Sequence, residues 1–330
     1  MGVGVLQRRH KRALLATRLG AGQVVRCHRG VHLNKIQQHR FRRSQYHMVK
    51  PSLAGTTRRA DRHTSTAETN PTSTTSGRSL RLLTYNIQAG IATERYRHYV
   101  TRSWRHLLPD NRRLDNLHSI ARQLGGYDLV ALQEADAGSF RSEFTNQVAL
   151  LAEQGGFAYW YQQVNRNLGK VAQVSNGLLS RFQARTSLDH KLPGLIPGRG
   201  ALVVRYGNDA HPLLVVVMHL SLRRRARSFQ FDYIRGLIAG YEHVIVMGDF
   251  NCSYARLHRE IPLIDSNLRA ASPGLHTYPS WRPRRSIDHI LVSPSLEVRQ
   301  AQVFEHSQSD HLPVATEIIV PREVELGIPG

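Results

Sequence analysis

Two short strings late in the chain, Gly248-Asp249-Phe250-Asn251 and Ser309-Asp310-His311, combine residue types and spacing that can do chemistry. The first directly follows the apolar run His243-Val244-Ile245-Val246-Met247, and the second precedes Leu312-Pro313-Val314-Ala315. Side chains alternate along a strand, so a buried strand ending in Asp-x-Asn presents two oxygen-bearing groups on one side. Oxygen donors of that kind suit a hard cation such as magnesium, which holds few protein carboxylates and leaves room for phosphate oxygens. The chemistry implied is metal-assisted cleavage of a phosphate ester.

Further polar groups stand at other strand ends. Asn86 ends the first apolar run, Glu134 follows Val130-Ala131-Leu132-Gln133, His219 closes Val215-Val216-Val217-Met218, and Asp288 opens Asp288-His289-Ile290-Leu291. Each has a plain reading by itself. Asn and Asp cap turns, a lone His is most often a hydrogen-bonded core residue, and Glu usually faces solvent. Turn chemistry does not account for all of them at successive strand termini. Two arginine clusters flank the same positions: Arg223-Arg224-Arg225 with Arg227 after His219, and Arg282, Arg284 and Arg285 ahead of Asp288. Arginine makes bidentate contacts with phosphate, and the competing reading of each cluster is a solvated basic loop. Tyr96, Trp104, Trp160 and Trp281 are aromatic candidates for stacking on bases or shielding lipid tails, with Trp160 read as core because it lies in a strand.

The elements that must position these groups follow from hydrophobic periodicity. Strands are predicted at residues 80–87, 128–133, 157–162, 177–180, 201–206, 213–220, 244–249, 287–292, 298–304 and 314–320. Leu114, Leu117, Ile120 and Leu124 recur at helical steps and stop at Gly125-Gly126. Further helices are predicted at 145–153 and 228–239, with residues 91–110 as a surface insertion. This many short strands with so few helices predicts an α/β fold with two packed sheets and helices outside, in one domain. No run approaches the roughly 18 apolar residues of a spanning helix.

Charge is unevenly spread over the 330 residues. Residues 1–78 carry 16 Lys and Arg against 2 acidic residues, and residues 79–330 carry 29 against 22, so +14 of the net +21 lies ahead of residue 79. Composition therefore predicts a basic, disordered extension over 1–79, ahead of a folded domain over 80–321 and a tail over 322–330. The extension reads as an organellar transit peptide, a nucleic-acid-binding arm, or an upstream stretch ahead of an alternative start at Met48. Without a secretory signal, the expected location is cytoplasmic unless the transit reading holds. Cys27 and Cys252 cannot form a disulfide framework, and neither has a partner at metal-ligand spacing.

Seven strings, taken together and in order, resemble the endonuclease/exonuclease/phosphatase superfamily, the DNase I-like fold. They are Thr84-Tyr85-Asn86-Ile87, Leu132-Gln133-Glu134, Asn176-Gly177-Leu178-Leu179-Ser180-Arg181, Met218-His219-Leu220, Gly248-Asp249-Phe250-Asn251, Ile287-Asp288-His289-Ile290 and Ser309-Asp310-His311-Leu312-Pro313. The resemblance implies a four-layer α/β sandwich of two packed mixed β-sheets flanked by helices. It implies Glu134 and Asn86 as the metal-binding pair, with Asp310 as a further ligand, for Mg2+ or Mn2+. Asp249 then orients or deprotonates the attacking water, and Asn251 fixes that water or a phosphate oxygen. His219 and His311 contact the scissile phosphate, and Asp288 orients His311. Asn176, Arg223 and Arg284 are the expected substrate-phosphate contacts. The expected partner is a phosphate-ester substrate, with nucleic acid the leading class, and a monomer without protein partners is expected. The inositol phosphatases' Cys-Asp-Arg string is missing, since Ile287-Asp288-His289 stands there. Two rival readings are a phospholipid or sphingomyelin-type phosphodiesterase and a non-catalytic nucleic-acid-binding protein.

Overall fold

The chain is described by a computed structural model over residues 28–29, 77–91, 112–194, 198–260, 268–305 and 308–330. Its strands are β1 His28–Arg29, β2 Gly77–Asn86, β3 Leu129–Asp136, β4 Tyr159–Asn167, β5 Gln173–Ser180, β6 Thr186–Lys191 and β7 Gly200–Tyr206. They continue with β8 Leu213–His219, β9 His243–Asp249, β10 Arg269–Ala270, β11 Asp288–Val292, β12 Glu297–Val303 and β13 Val314–Pro321. The α-helices are α1 Arg112–Leu124, α2 Gln147–Gly155, α3 Arg224–Ile238 and α4 Tyr254–Glu260.

Among the described residues the first sheet has the order β1-β4-β5-β3-β2-β13-β12, and the second β10-β11-β9-β8-β7-β6. Each sheet is mixed for the same reason. A parallel pair needs a crossover connection. α1 lies between the parallel strands β2 and β3, and α3 between the parallel strands β8 and β9. β8 and β9 are buried at every position, as expected for central strands covered on both faces.

Alternation sorts the strand residues into layers. Leu80, Leu82, Leu129, Ala131, Val215, Val217, Ile245, Met247, Ile290 and Val292 share one core between the two sheets. The opposite face of the first sheet packs Leu83, Tyr85, Val130 and Leu132 against Leu117, Ile120 and Leu124 of α1 and Val148 and Leu151 of α2. The opposite face of the second packs Val216, Met218, Val244 and Val246 against Phe231, Ile234 and Ile238 of α3. The four-layer sandwich expected from the resemblance is the observed fold.

The ends of β8 and β9 meet unusually closely. Gly248 has φ +149°, and a Cβ there would run into the Met218 carbonyl oxygen, so only glycine fits.

Several boundaries differ from expectation. β6 was not predicted because Thr-Ser-Leu-Asp-His-Lys carries little apolar signal, which suits an edge strand paired only with β7. β10 has two residues and no periodicity to read. α3 begins at Arg224 rather than 228, because its first turn is arginine-rich and lacks apolar positions. The first strand opens at Gly77, which pairs with Pro321, so residues 77–79 belong to the sheet. The expected tail is packed: Val324 is buried, Leu326 lies against the central core, and the Gly330 N–H donates to the Arg181 carbonyl at 2.8 Å. Apolar residues at 324 and 326 add to the core between the two sheets. Met48, Tyr96, Trp104 and most of the proposed extension and insertion lie outside the described residues, and no helix among the described residues is long and apolar enough to cross a membrane.

Candidate active site

Continuing the inward alternation past the last apolar residue of each central strand leads to the chemistry. In β2 the series Leu80, Leu82 ends at Asn86. In β8, Val215 and Val217 lead to His219, and in β9, Ile245 and Met247 lead to Asp249. Register aligns three of these residues across the second sheet, with His219 opposite Asp249 and Asp249 opposite Asp288. Glu134 reaches the same end of the sandwich differently. Leu132 faces Gly177 but Ala135 faces Ser175, so Gln133 and Glu134 together oppose Asn176 as a bulge. A bulge re-aims a side chain, and Glu134 carries the left-handed φ of +57° that this requires.

The two sheets meet at Asp249. Asn86 Nδ2 donates to Asp249 Oδ2 at 3.3 Å, and His219 Nε2 lies 3.4 Å from the same oxygen. His311 Nε2 approaches it at 3.9 Å, and His219 Nδ1 lies 3.9 Å from Glu134 Oε1. Asp249 Oδ1 accepts from the Asn251 backbone N–H at 2.9 Å, and Asn251 Nδ2 donates to the Leu220 carbonyl at 2.9 Å. Asp288 holds His311 through Nδ1 at 2.9 Å and is itself fixed by the Thr277 hydroxyl at 2.5 Å. Ser309 Oγ donates to the Asn86 carbonyl at 2.7 Å, tying the Asp310-His311 loop to the end of β2.

Burial and crowding set the protonation states. Burial and the Asp288 charge raise Asp249 to about 7, with Glu134 adding to the effect and His311 opposing it. Burial also raises Asp310 to about 6, and Glu134 contributes. Burial alone would lower His311, but the charge and hydrogen bond of Asp288, followed by Asp249 and Asp310, raise it to about 10. His219 goes the other way: burial, Arg199 and His311 hold it well below its ordinary range. His219 is therefore neutral, and its approach to Asp249 is a polar contact rather than an ion pair.

These residues fit a divalent cation. Carboxylates that raise one another's pKa lack positive charge, and an ion bound among them supplies it. Glu134 is the most open of them, with 37% of its side chain exposed, and the buried Asn86 and Asp310 lie on the same rim. Asp249, Asp288 and His311 also lie within 4.8 Å of one another. A cationic imidazole hydrogen-bonded to its carboxylate has no lone pair to offer, so His311 as Asp288 holds it is no metal ligand.

Other expected residues lie elsewhere or serve differently. Asn176 is fully buried, and its Nδ2 donates to the Gly200 carbonyl at 3.0 Å, so its donor supports the start of β7 instead of facing the cleft. Arg223 precedes α3 and Arg284 sits in the loop before β11, both exposed. Arg227, part of the first basic cluster, is buried and donates to the Ser221 and Leu222 carbonyls at 3.3 and 2.5 Å. His289, next to Asp288, is a core residue bonded to the Cys252 carbonyl at 2.8 Å.

Arg199 escaped sequence reasoning. It lies two residues ahead of Ala201, which faces Met218, and so at the same sheet end as His219. Half-buried, it is lowered by desolvation, raised by the charges of Glu134 and Asp249, and lowered by Arg166. No hydrogen bond or ion pair holds its guanidinium among the described residues. The Gly-Arg-Gly string around it was the available signal, but glycines beside an arginine occur in many loops.

Comparison with known proteins bears on the family and the fold. The sequence profile of the Endonuclease/Exonuclease/phosphatase family matches residues 83–311. No curated protein matches the chain. Among solved structures, an endonuclease/exonuclease/phosphatase from Beutenbergia cavernae DSM 12333 superposes with a TM-score of 0.58 at 19% identity, covering 74% of this chain and 72% of that one. The mannosyl-6-phosphatase of Bacteroides thetaiotaomicron VPI-5482 gives 0.54 at 18% identity, covering 72% and 99%. The human Nocturnin catalytic domain, solved with a bound sulfate anion, gives 0.51 at 20% identity, covering 73% and 94%. At such identities the structures speak for the fold, while the profile match spans most of the two sheets and runs from β2 to the His311 loop. With the sandwich and the matched span in agreement, the chain belongs to the endonuclease/exonuclease/phosphatase family.

Proposed function

We propose that this protein is a divalent-metal-dependent phosphoesterase that hydrolyses a phosphate ester by in-line attack of water, with a nucleic-acid-like phosphodiester as the leading substrate class. The observation that carries the reading is the convergence of Asn86, His219 and His311 on Asp249, with Asp288 locking His311. A structural core has no need of a base raised to about 7 beside an imidazole raised to about 10.

In this mechanism Asp249 takes a proton from water as the water oxygen bonds to phosphorus, and the ester P–O bond on the opposite side breaks. The departing oxygen takes up a proton from solvent. His311, kept cationic by Asp288, faces the growing charge on the phosphoryl oxygens, and neutral His219 donates a hydrogen bond to them. Arg199 contributes a further cation from the β7 side. Glu134, Asn86 and Asp310 would hold the divalent ion, which when bound neutralises charge on a non-bridging phosphate oxygen. Residues 77–330 form the catalytic unit in this reading, and the basic residues ahead of Gly77 are dispensable for chemistry.

The test is hydrolysis of bis-p-nitrophenyl phosphate, plasmid DNA, single-stranded RNA, sphingomyelin and sugar or inositol phosphates, each with magnesium, manganese or EDTA. Magnesium-dependent turnover of a diester that EDTA abolishes is the expected result. Salt-sensitive nucleic-acid binding without turnover of any substrate would sink the proposal, and activity confined to dispersed lipid would replace its substrate class.

A further inference from the structure

At the other end of the second sheet three side chains converge that take no part in the site above. His211 lies in the turn between β7 and β8, and Glu242 and His243 stand where β9 begins. One ligand-type atom of each lies within 4.8 Å of the others. The two imidazole rings are 6.4 Å apart. β9 runs seven residues from His243 to Asp249, so at a strand rise of about 3.3 Å per residue the cluster is roughly 20 Å from the catalytic carboxylate.

His243 is 1% exposed, and its Nε2 is buried without a hydrogen-bond partner. Its other nitrogen fixes what that atom is. Ser295 has one hydroxyl proton and donates it to the Glu242 carbonyl at 2.8 Å. Ser295 Oγ, also 3.0 Å from Ser293 Oγ, is then free to accept from His243 Nδ1, which lies 2.9 Å away. With the proton on Nδ1, Nε2 presents a bare lone pair. A buried acceptor that no protein donor reaches is costly. It is also what a metal-ligating histidine looks like, with its second nitrogen held by an outer hydrogen bond. His211 and Glu242 are exposed, so two of the three side chains face solvent.

We propose that His211, Glu242 and His243 form a binding site for a divalent transition-metal ion of the zinc type. The site would clamp the β7–β8 turn to the start of β9. Two imidazoles and a carboxylate suit zinc, with water completing the tetrahedron. Nitrogen donors disfavour magnesium and calcium, so this site and the catalytic one select different ions.

The experiment uses the full chain stripped with EDTA and titrated with zinc chloride by calorimetry. Cobalt(II) absorption serves as a second readout of imidazole ligation. Wild type is expected to bind one more equivalent of zinc than His211→Ala, an exposed substitution that leaves the core alone. Glu242→Gln weakens that equivalent at least tenfold, and Ser295→Ala weakens it about 10–100-fold by releasing the His243 tautomer. Zinc raises the melting temperature of wild type more than that of His211→Ala. Equal zinc stoichiometry and affinity in wild type and His211→Ala overturns the proposal, as does full affinity in Ser295→Ala. An extra equivalent that binds only above about 0.1 mM is adventitious chelation and overturns it too.

Discussion

At the scale of single residues, the site is a problem of opposite charges held in separate protonation states. Activity in the proposed mechanism needs Asp249 ionised and His311 protonated, so the pH–rate profile is bell-shaped, and its limbs belong to the coupled set of groups. The alkaline limb follows His311, raised to about 10 against the downward pull of burial by the charge and hydrogen bond of Asp288. Asp288→Asn removes the largest upward influence and leaves only Asp249 and Asp310 to oppose burial, so that limb moves to lower pH. The kcat profile of the variant against wild type checks this, and an unmoved alkaline limb would show that His311 is not the cation the reaction requires. Arg199 faces the same centre without an ion-pair partner among the described residues. Arg199→Ala is expected to lower kcat by about 10²–10³-fold, the cost of losing one preorganised charge donor, with the lysine variant recovering part of it. Steady-state kinetics that show only a KM change would place Arg199 in ground-state binding instead.

At the scale of elements, close strand ends and one pinned loop hold the site residues in place. Gly248 lets the end of β9 approach Met218 at the end of β8. Gly248→Ala adds a strained positive φ and a steric clash, together about 2–5 kcal/mol, and pulls His219 away from Asp249. Urea unfolding and kcat should fall together in that variant. At the end of β3, the buried Asp136 carboxylate accepts from the Gly138 and Ser139 N–H groups and from the Ser139, Ser142 and Arg141 side chains. Burial pushes Asp136 up, but the Arg141 hydrogen bond and charge, with the two hydroxyls, hold it below 3.8. A depressed carboxylate contributes stability that is present above the unfolded value of 3.8 and is lost as pH falls through the lower folded value. Asp136→Asn leaves Arg141 buried and unpaired, so it is expected to cost about 3–5 kcal/mol at neutral pH. The difference from wild type should shrink on acidification. Unfolding curves between about pH 3 and pH 7 measure both effects.

At the scale of the molecule, the parallel pair at the centre of each sheet directs its carboxyl ends to one end of the sandwich. Asn86 and Glu134 arrive from the first sheet, His219 and Asp249 from the second. Ligands of open α/β sheets bind beyond such strand ends. None of these residues lies ahead of Gly77, so a chain beginning there is expected to keep wild-type kcat on a small diester. Removing residues 1–76, which carry +13 of the +21 charge, should also flatten the salt dependence of binding to polyanions. A loss of kcat in the shortened chain would place catalytic help in the extension. His28–Arg29 pairs with the edge of β4, so the shortened chain exposes that edge, and its aggregation should be monitored separately.

The order of apolar runs and polar termini in the sequence was enough to read the sandwich and to name Asn86, Glu134, His219, Asp249, Asp288 and His311, because strand alternation is local and a carboxylate after a buried run is conspicuous. Local pattern says nothing about what arrives from elsewhere. β6 escaped because an edge strand needs few apolar residues, and Arg199 because its importance comes from Glu134 and Asp249, residues distant in the chain. Asn176 looked like a phosphate contact until the facing sheet supplied the Gly200 carbonyl for its amide. Arg227 likewise looked like a free cation until its own turn supplied the Ser221 and Leu222 carbonyls. The side-chain types and their strand positions are properties of the sequence. Which of them share a proton, a charge or an ion is decided where the two sheets meet, because those energies depend on distances of a few ångströms and on the water that packing excludes.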